Sequence, residues 1–148
     1  AMRGIRTLSV RLQQHETSAL KIADWLASRS EVETILHPAL PSCPGHEEFK
    51  RDFTGANGLF SFVLNKGNNE ALTALLDGME HFKMGYSWGG FESLILGISN
   101  VNKMRTVTNW PYKFPLIRLH VGLENVDDLI ADLEQGFARF NDVLNQES

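Results

Sequence analysis

The chain has 148 residues, 43% of them hydrophobic and 22% charged, which fits one globular domain with a real core. Its formal net charge of −4 argues against nucleic acid as the main partner, because phosphate binding requires a basic face. The single cysteine, Cys43, excludes an intrachain disulfide. The apolar runs are too short to cross a bilayer, and the start does not resemble a leader. We therefore expect a cytoplasmic protein without a membrane partner.

The N-terminal part of the chain combines a helical pattern with a loop-rich stretch. Apolar residues recur at helical spacing and predict one long amphipathic helix over residues 3–30. Residues 32–36 form a short strand candidate that ends at His37 and Pro38. Residues 39–58 contain two further prolines and three glycines, so we expect a loop there.

The middle of the chain predicts one strand and one helix. Residues 59–64 have the composition and length of a strand. Asn68 or Asn69 can then cap a helix that runs to about Met79, since leucines recur at helical spacing over that stretch.

Three further strands follow. Residues 82–87 and residues 93–98 are strand-like runs, and the Trp-Gly-Gly of residues 88–90 separates them. Residues 100–115 are polar and aromatic and predict an extended loop, after which residues 116–121 form a strand.

The last element is the clearest helix. Asn125 caps it, and Asp127 and Asp128 lie in its first turn, where the helix dipole favours negative charge. The predicted order is therefore α-β-β-α-β-β-β-α. It indicates an α+β fold, a two-layer sandwich of a small, mostly antiparallel sheet with helices on one face.

Arg118 stands inside an otherwise apolar strand. Alternation places Arg118 on one face with Leu116 and His120, and an unpaired buried arginine is costly. Its planar fork suits a carboxylate held by two parallel hydrogen bonds. That carboxylate could belong to a substrate or to a local Asp or Glu in a structural ion pair.

The Gly89-Gly90 pair allows a sharp turn and close approach to a ligand. Ser87 and Trp88 precede it, so the turn could aim a hydroxyl, a backbone amide and an indole into a cleft. The alternative is an ordinary hairpin with a surface tryptophan.

Other kinds of site receive little support. Cys43 and His46 resemble half a metal site, but no second cysteine completes four ligands, so we expect no metal. The sequence contains no nucleophile elbow, P-loop or zinc-protease histidine pair. None of the six lysines lies in a setting that suggests Schiff-base chemistry: Lys21, Lys50, Lys66, Lys83, Lys103 and Lys113.

Several spaced motifs resemble, in the right order, the C-terminal domain of the pyridoxal-phosphate-dependent Cys/Met metabolism enzymes, which have fold type I. The resemblance is carried by residues 3–8, 11–12, 37–40, 45–46, 50–55, 59–64, 87–95 and 116–130. It implies that residues 1–148 are a single substrate-carboxylate-binding domain of a longer enzyme. The start at Ala1-Met2 is what a domain cut out of a longer chain would show.

Within the family, the turn is similar to the form found in the bacterial cystathionine β-lyases. The γ-acting relatives carry a smaller aliphatic residue where Trp88 stands, and His120 also looks like the β-lyase version. The implied activity is carbon–sulfur lysis in methionine biosynthesis, from cystathionine to homocysteine, pyruvate and ammonia. The alternatives are a fragment of a γ-lyase or γ-synthase, or a non-catalytic interaction module that kept the fold.

The resemblance also implies roles for individual residues. Arg118 would bind the substrate α-carboxylate, Ser87 would position it, and Trp88 and Tyr86 would line the side-chain pocket. Pyridoxal phosphate and the lysine that holds it would belong to an N-terminal domain outside this chain. We therefore expect no catalytic and no cofactor-binding residue in these 148 positions, an inactive isolated chain, and a homotetramer at full length.

Overall fold

Five strands form one sheet in a computed structural model that describes residues 2–105 and 107–146. They are β1 (Val32–Leu36), β2 (Leu59–Leu64), β3 (Lys83–Met84), β4 (Leu94–Ile98) and β5 (Leu116–His120). Their order across the sheet is β1-β2-β5-β4-β3. Every neighbouring pair is antiparallel except β3 and β4, which are parallel. The predicted small, mostly antiparallel sheet is confirmed.

The helices of the described residues are α1 (Met2–Arg6), α2 (Leu8–Ala27), α3 (His46–Asp52), α4 (Asn69–Leu76) and α5 (Val126–Gln146), with a 3₁₀ turn at Val101–Met104. Helices α2, α4 and α5 share one hydrophobic core with the strands, as the predicted two-layer α+β sandwich requires. Within residues 2–105 and 107–146, no helix is both long and apolar enough to cross a membrane.

The core explains why β5 can carry a charged residue. Ile117 and Leu119 of β5 are fully buried in the helix-facing layer, whereas Arg118 between them is half-buried on the opposite face. Each fully buried side chain of this size contributes about 1.5–3 kcal/mol relative to exposure. The largest fully buried side chains include Ile22, Leu26, Phe62, Phe82, Ile95, Leu129, Phe137 and Phe140.

The prediction of a single helix over residues 3–30 is wrong. The helix is interrupted at Thr7, whose backbone has φ −111° and ψ 8°, and α2 ends at Ala27. The guanidinium of Arg11 donates to the carbonyl of Gly4 at 2.8 Å and so links α1 to α2. Because α1 is exposed, with Ile5 69% accessible, packing does not keep it in line with α2.

Helix α3 lies within the stretch that we predicted to be a loop. It begins after Gly45, whose φ of 85° is in the left-handed region, and it buries none of its residues. Without a buried stripe, the apolar periodicity that reveals a helix is missing. The remaining signal is the order of charges, with Glu47 and Glu48 in the first turn and Lys50 and Arg51 in the last.

The helix caps agree with the sequence better than the helix ends do. The Oδ1 atom of Asn68 accepts the backbone N–H of Ala71 at 2.8 Å, which confirms Asn68 as the cap of α4. However, α4 ends at Leu76 rather than at Met79, before Gly78 with a φ of 86°. Asn125 likewise accepts the N–H of Asp127 at the start of α5, as predicted.

The connection from α4 to β3 depends on a buried carboxylate. Asp132 of α5 is 2% exposed and accepts three backbone N–H groups, from Glu80, His81 and Phe82, at 2.8, 2.8 and 3.0 Å. These bonds satisfy donors that the sheet does not use, and β3 is then only two residues long instead of the predicted 82–87.

The remaining predictions concern the loop before β5 and the start of the chain. Residues 100–115 form a loop apart from the 3₁₀ turn, with position 106 outside the described residues. Ala1 also lies outside them.

Candidate functional site

Arg118 lies at the middle of the central strand, opposite Ser61 of β2 and Leu96 of β4. Its Nη2 atom donates to the carbonyl of Tyr86 at 2.8 Å and lies 3.4 Å from the carbonyl of Gly85. These bonds join the arginine to the turn that contains Ser87 and Trp88. The structure thus brings the predicted arginine and the predicted turn together.

No structural ion pair occupies Arg118 in the part of the chain that the structure describes. Within residues 2–105 and 107–146, no Asp or Glu oxygen lies within 4.0 Å of its guanidinium. Within the same residues, the hydrogen bonds that Arg118 donates come from Nη2 alone. The N–H groups of Nε and Nη1 are therefore available for a ligand. A half-buried guanidinium with two such N–H groups can bind the carboxylate of a ligand.

The turn exposes the side chains that the sequence assigned to ligand binding. Tyr86 is 83% exposed, Trp88 is 59% exposed, and Ser87 is also exposed. Arg118 therefore contacts the carbonyl of Tyr86, not its ring. The hairpin alternative for this turn is wrong, because β3 and β4 run parallel.

A small cavity of about 80 Å³ lies behind the turn. Trp88 and Gly89 border it from the turn, and His120 borders it from β5. The other lining residues come from α2 and the loop before β2: Leu8, Arg11, Leu12, His15, Asn57 and Gly58.

His120 contacts the turn from below. Its side chain is buried, and its Nε2 atom lies 3.0 Å from the carbonyl oxygen of Gly90. Burial lowers the pKa of His120, partly opposed by its hydrogen bond to Gly90, and the neighbouring His15 makes a smaller lowering contribution, so the ring is neutral at neutral pH. The sequence placed His120 on the face of Arg118 but did not predict these contacts.

The far end of the turn is attached to the segment after β5. Ser93 and Glu124 form hydrogen bonds with each other, and the backbone N–H of Gly122 donates to the hydroxyl of Ser93 at 2.8 Å. The N–H of Leu123 donates to the carbonyl of Phe91 at 2.8 Å. Sequence reasoning missed these residues, because no local pattern indicates a bond between positions about 30 apart.

The half metal site of the sequence is not assembled. His46 places Nδ1 2.9 Å from the carbonyl of Pro38, and burial raises the pKa of the half-buried Cys43 thiol. Among residues 2–105 and 107–146, no three His, Cys, Asp or Glu side chains are grouped as metal ligands would be.

Comparison with known proteins identifies the family to which this architecture belongs. The model of the Cys/Met metabolism PLP-dependent enzymes, where PLP is pyridoxal phosphate, matches residues 1–138. The chain belongs to this family. Its relatives include the cystathionine beta-lyase MetC of Escherichia coli K12, 56% identical over 140 residues, and the cystathionine beta-lyase of Salmonella typhimurium, 55% identical over 140 residues.

The matches also fix how much of the family's length is present. Each alignment covers 93% of this chain and 35% of the relative, so the chain spans about a third of the length of the curated relatives it matches. Among solved structures, a cystathionine gamma synthase from Xanthomonas oryzae pv. oryzae, in complex with aminoacrylate and cysteine, aligns with a TM-score of 0.79 at 32% identity. That alignment covers 94% of this chain and 37% of the synthase, and it confirms the fold within the family.

Proposed function

We propose that this chain is the C-terminal domain of a longer, PLP-dependent cystathionine β-lyase and that it binds the α-carboxylate of the substrate. The longer enzyme is a carbon–sulfur lyase of methionine biosynthesis that converts cystathionine into homocysteine, pyruvate and ammonia. The observation that carries the proposal is the half-buried Arg118, which contacts the turn through Nη2 and keeps Nε and Nη1 for a ligand. The third of the relatives' length that the chain spans supports its assignment as one domain.

Arg118 is well suited to a carboxylate because its fork is held in place before the ligand arrives. The carbonyl of Tyr86 fixes one side of the guanidinium without neutralising its charge. Two parallel N–H···O bonds to a carboxylate then fix the position and the plane of that group. We assign to Ser87, on the same turn, the hydroxyl and backbone N–H that position the carboxylate, and to the exposed rings of Trp88 and Tyr86 the walls of the side-chain pocket.

Fixing the carboxylate is a catalytic contribution in its own right. Once the carboxylate is held, the orientation of the bonds at the substrate α-carbon is determined, and so is the bond that reacts. A misplacement of about 1 Å can cost on the order of a hundredfold in rate. This chain therefore contributes orientation rather than bond-breaking groups.

We assign the cofactor to an N-terminal domain outside this chain. When bound, pyridoxal phosphate supplies an electron sink for the carbanion at the substrate α-carbon. The cavity beside Trp88 and His120 does not fit that group by itself, since its volume is about 80 Å³ and ligand sites are usually about 300 Å³ or more. The lysine nearest the turn in sequence, Lys83, is exposed and donates to the carbonyl of Glu80 at 2.6 Å.

The indole of Trp88 favours the β-lyase over the γ-acting relatives, because a bulky ring beside the carboxylate site narrows the pocket. A γ-synthase is the second candidate, since a solved γ-synthase shares the fold of this chain at a TM-score of 0.79. We further propose a homotetramer at full length and a cytoplasmic location, in which the single Cys43 stays a thiol.

Assaying the longer protein and the 148-residue chain side by side tests the proposal. With pyridoxal phosphate and cystathionine, the longer protein should release pyruvate, while the isolated chain should release none and should show no cofactor absorbance. Release of 2-oxobutyrate instead would assign a γ-elimination. Pyruvate from the isolated chain would contradict the domain assignment, and no product from the longer protein would favour the interaction module.

A further inference from the structure

One imidazole contacts both backbone groups at the tip of the substrate turn. His120 is 3% exposed, its Nε2 atom is 3.0 Å from the carbonyl oxygen of Gly90, and the amide nitrogen of Gly89 is 3.4 Å from Nδ1 and 3.2 Å from Nε2. A neutral imidazole donates from one nitrogen and accepts at the other. The tautomer with the proton on Nε2 donates to Gly90 and leaves Nδ1, 3.4 Å from the amide nitrogen of Gly89, as the one ring acceptor for that N–H.

The tip of the turn has little else to hold it. Gly89 has a φ of 87°, and a Cβ atom added at Gly89 or Gly90 would meet nothing within 4 Å. Among residues 2–105 and 107–146, the side-chain hydrogen bonds to the backbone of residues 87–90 all come from His120. In that part of the molecule, no other side chain therefore forms a hydrogen bond with the backbone of the tip.

The ring of His120 is itself fixed from the other side. The ring of His15 on α2 lies 5.4 Å away between centroids, and its Nδ1 atom is 2.7 Å from the carbonyl oxygen of Val121. His15 is also 3% exposed. The imidazole of His120 thus lies between α2 and the turn, and it can fix the position of the turn relative to that helix.

We propose that His120 is a positioning residue that holds the Gly89-Gly90 tip and thereby fixes Ser87 and Trp88 relative to Arg118. The inference rests on the proposed function, in which the turn and the arginine bind one substrate. Arg118 fixes the start of the turn through the carbonyl of Tyr86, and His120, two positions later on the same strand, fixes its tip. One strand, β5, then positions both the group that binds the carboxylate and the turn that binds the substrate side chain.

Protonation of His120 would remove the acceptor for the N–H of Gly89, because both nitrogens would then carry hydrogen. The charged and titratable groups that face the ring are His15 and Arg11 on α2, Arg118 on β5, and Glu124 after it. In acid the tip should therefore keep the bond to the carbonyl of Gly90 but lose the acceptor for the N–H of Gly89, and its protection should decrease.

The test combines hydrogen exchange with kinetics in the full-length protein. The variants are His120→Ala, His120→Gln, whose amide can still donate and accept, and His81→Ala as a control away from the turn. In His120→Ala, the amides of residues 85–93 should exchange about tenfold faster and KM for cystathionine should rise about tenfold, the effect of losing roughly one buried hydrogen bond. kcat should change less, His120→Gln should recover most of both effects, and His81→Ala should show neither.

Exchange separates a failure of this inference from a failure of the proposed function. Unchanged exchange of residues 85–93 in His120→Ala overturns the inference, whatever the activity. Faster exchange with unchanged KM overturns the positioning role. A protein without lyase activity overturns the proposed function while exchange still tests the turn. If the alanine variant does not fold, the unmodified protein and His120→Gln provide the test. Protection of residues 85–93 should decrease in acid in the unmodified protein and should persist in His120→Gln. Protection that does not depend on pH in either protein would contradict the inference.

Discussion

Ser93 and Glu124 form a two-point contact between the start of β4 and the segment after β5. The backbone N–H of Ser93 donates to Oε1 of Glu124 at 2.8 Å, and the Ser93 hydroxyl donates to Oε2 at 2.7 Å. The hydroxyl also accepts the N–H of Gly122 at 2.8 Å, so both donors of Ser93 and the N–H of Gly122 have a partner. Because Ser93 is fully buried, water cannot replace these bonds.

Replacing Glu124 with alanine should reduce the free energy of unfolding by roughly 1–3 kcal/mol, because the two buried donors of Ser93 would lose their acceptor. Urea unfolding followed by circular dichroism measures this. Glu92→Ala, which removes an exposed carboxylate from the same segment, is the matched control and should change stability little. Equal losses in the two variants would mean that the contact contributes nothing specific.

Gly122→Ala should destabilise the fold by roughly 1–3 kcal/mol, the usual cost of overpacking. A Cβ atom at Gly122 would lie 2.3 Å from the carbonyl oxygen of Phe91 and 2.7 Å from the backbone carbon of Glu92, and backbone cannot move aside as a side chain can. Thermal unfolding of Gly122→Ala and Gly90→Ala gives the comparison, since a Cβ at Gly90 meets nothing within 4 Å. The prediction fails if the two variants melt together.

Arg118→Ala in the full-length enzyme should lower kcat/KM, by an amount that corresponds to a loss of roughly 2–4 kcal/mol in transition-state stabilisation. The cofactor should stay bound. Arg118→Lys should recover only part of the loss, because an ammonium keeps the charge but not the fork. Steady-state kinetics with cystathionine and the cofactor absorbance measure the two effects.

The control for Arg118 is Arg139, which also donates to backbone carbonyls, those of Ala74 and Leu75 at the end of α4. Arg139→Ala should lower the melting temperature and leave KM unchanged. If Arg118→Ala instead behaves like Arg139→Ala, Arg118 is a structural residue.

Trp88→Leu should leave cofactor binding and stability intact, because the indole is 59% exposed. Turnover should fall by about tenfold, within the range that a change of pocket shape produces. The ratio of pyruvate to 2-oxobutyrate from cystathionine should also shift toward 2-oxobutyrate. Phe91→Leu, an exposed aromatic in the same segment, should change neither rate nor ratio. An unchanged ratio in Trp88→Leu would reopen the choice between β- and γ-acting relatives.

His37 should make the stability depend on pH. Burial lowers the pKa of His37 below its ordinary 6.5, partly opposed by the charge of Glu16. The unfolded chain therefore binds the proton more tightly than the folded one, so stability is complete above about pH 6.5 and decreases as the pH falls below it.

Urea unfolding at pH 7.5 and 5.5 tests this above the range in which carboxylates titrate. His37→Asn keeps an acceptor for the N–H of Ala39, now 3.2 Å from Nδ1 of His37, but it cannot titrate. The difference in unfolding free energy between the two pH values should be smaller in this variant. An equal difference would mean that His37 does not titrate in this range.

The elements with a strong buried pattern were predictable from the sequence. Helix α5 has a continuous stripe that includes Leu129, Leu133 and Phe137, and residues 116–119 of strand β5 alternate between half-buried and buried. Helix α3 buries no residue, and β3 is two residues long and pairs in parallel, so neither leaves a periodic trace. Local patterns record what a segment buries, and these two segments bury little.

The candidate site divides in the same way. Arg118 within an apolar strand and the Gly89-Gly90 pair are anomalies that can be seen in a few neighbouring residues. The contact of His120 with the turn and that of Ser93 with Glu124 join positions about 30 apart through side-chain hydrogen bonds. Such pairs depend on the strand order, which the sequence pattern did not predict.

The position of β5 at the centre of the sheet has a consequence for synthesis and folding. β5 is the last strand in the chain, yet it pairs with β2 on one side and β4 on the other. When only the first four strands have left the ribosome, the place of β5 between β2 and β4 is therefore still empty. The facing edges of β2 and β4 then present unpaired backbone groups, which favour aggregation. Insertion of β5 fills this place and delivers Arg118 in the same step, so the ability to bind a carboxylate should emerge only when the sheet is complete.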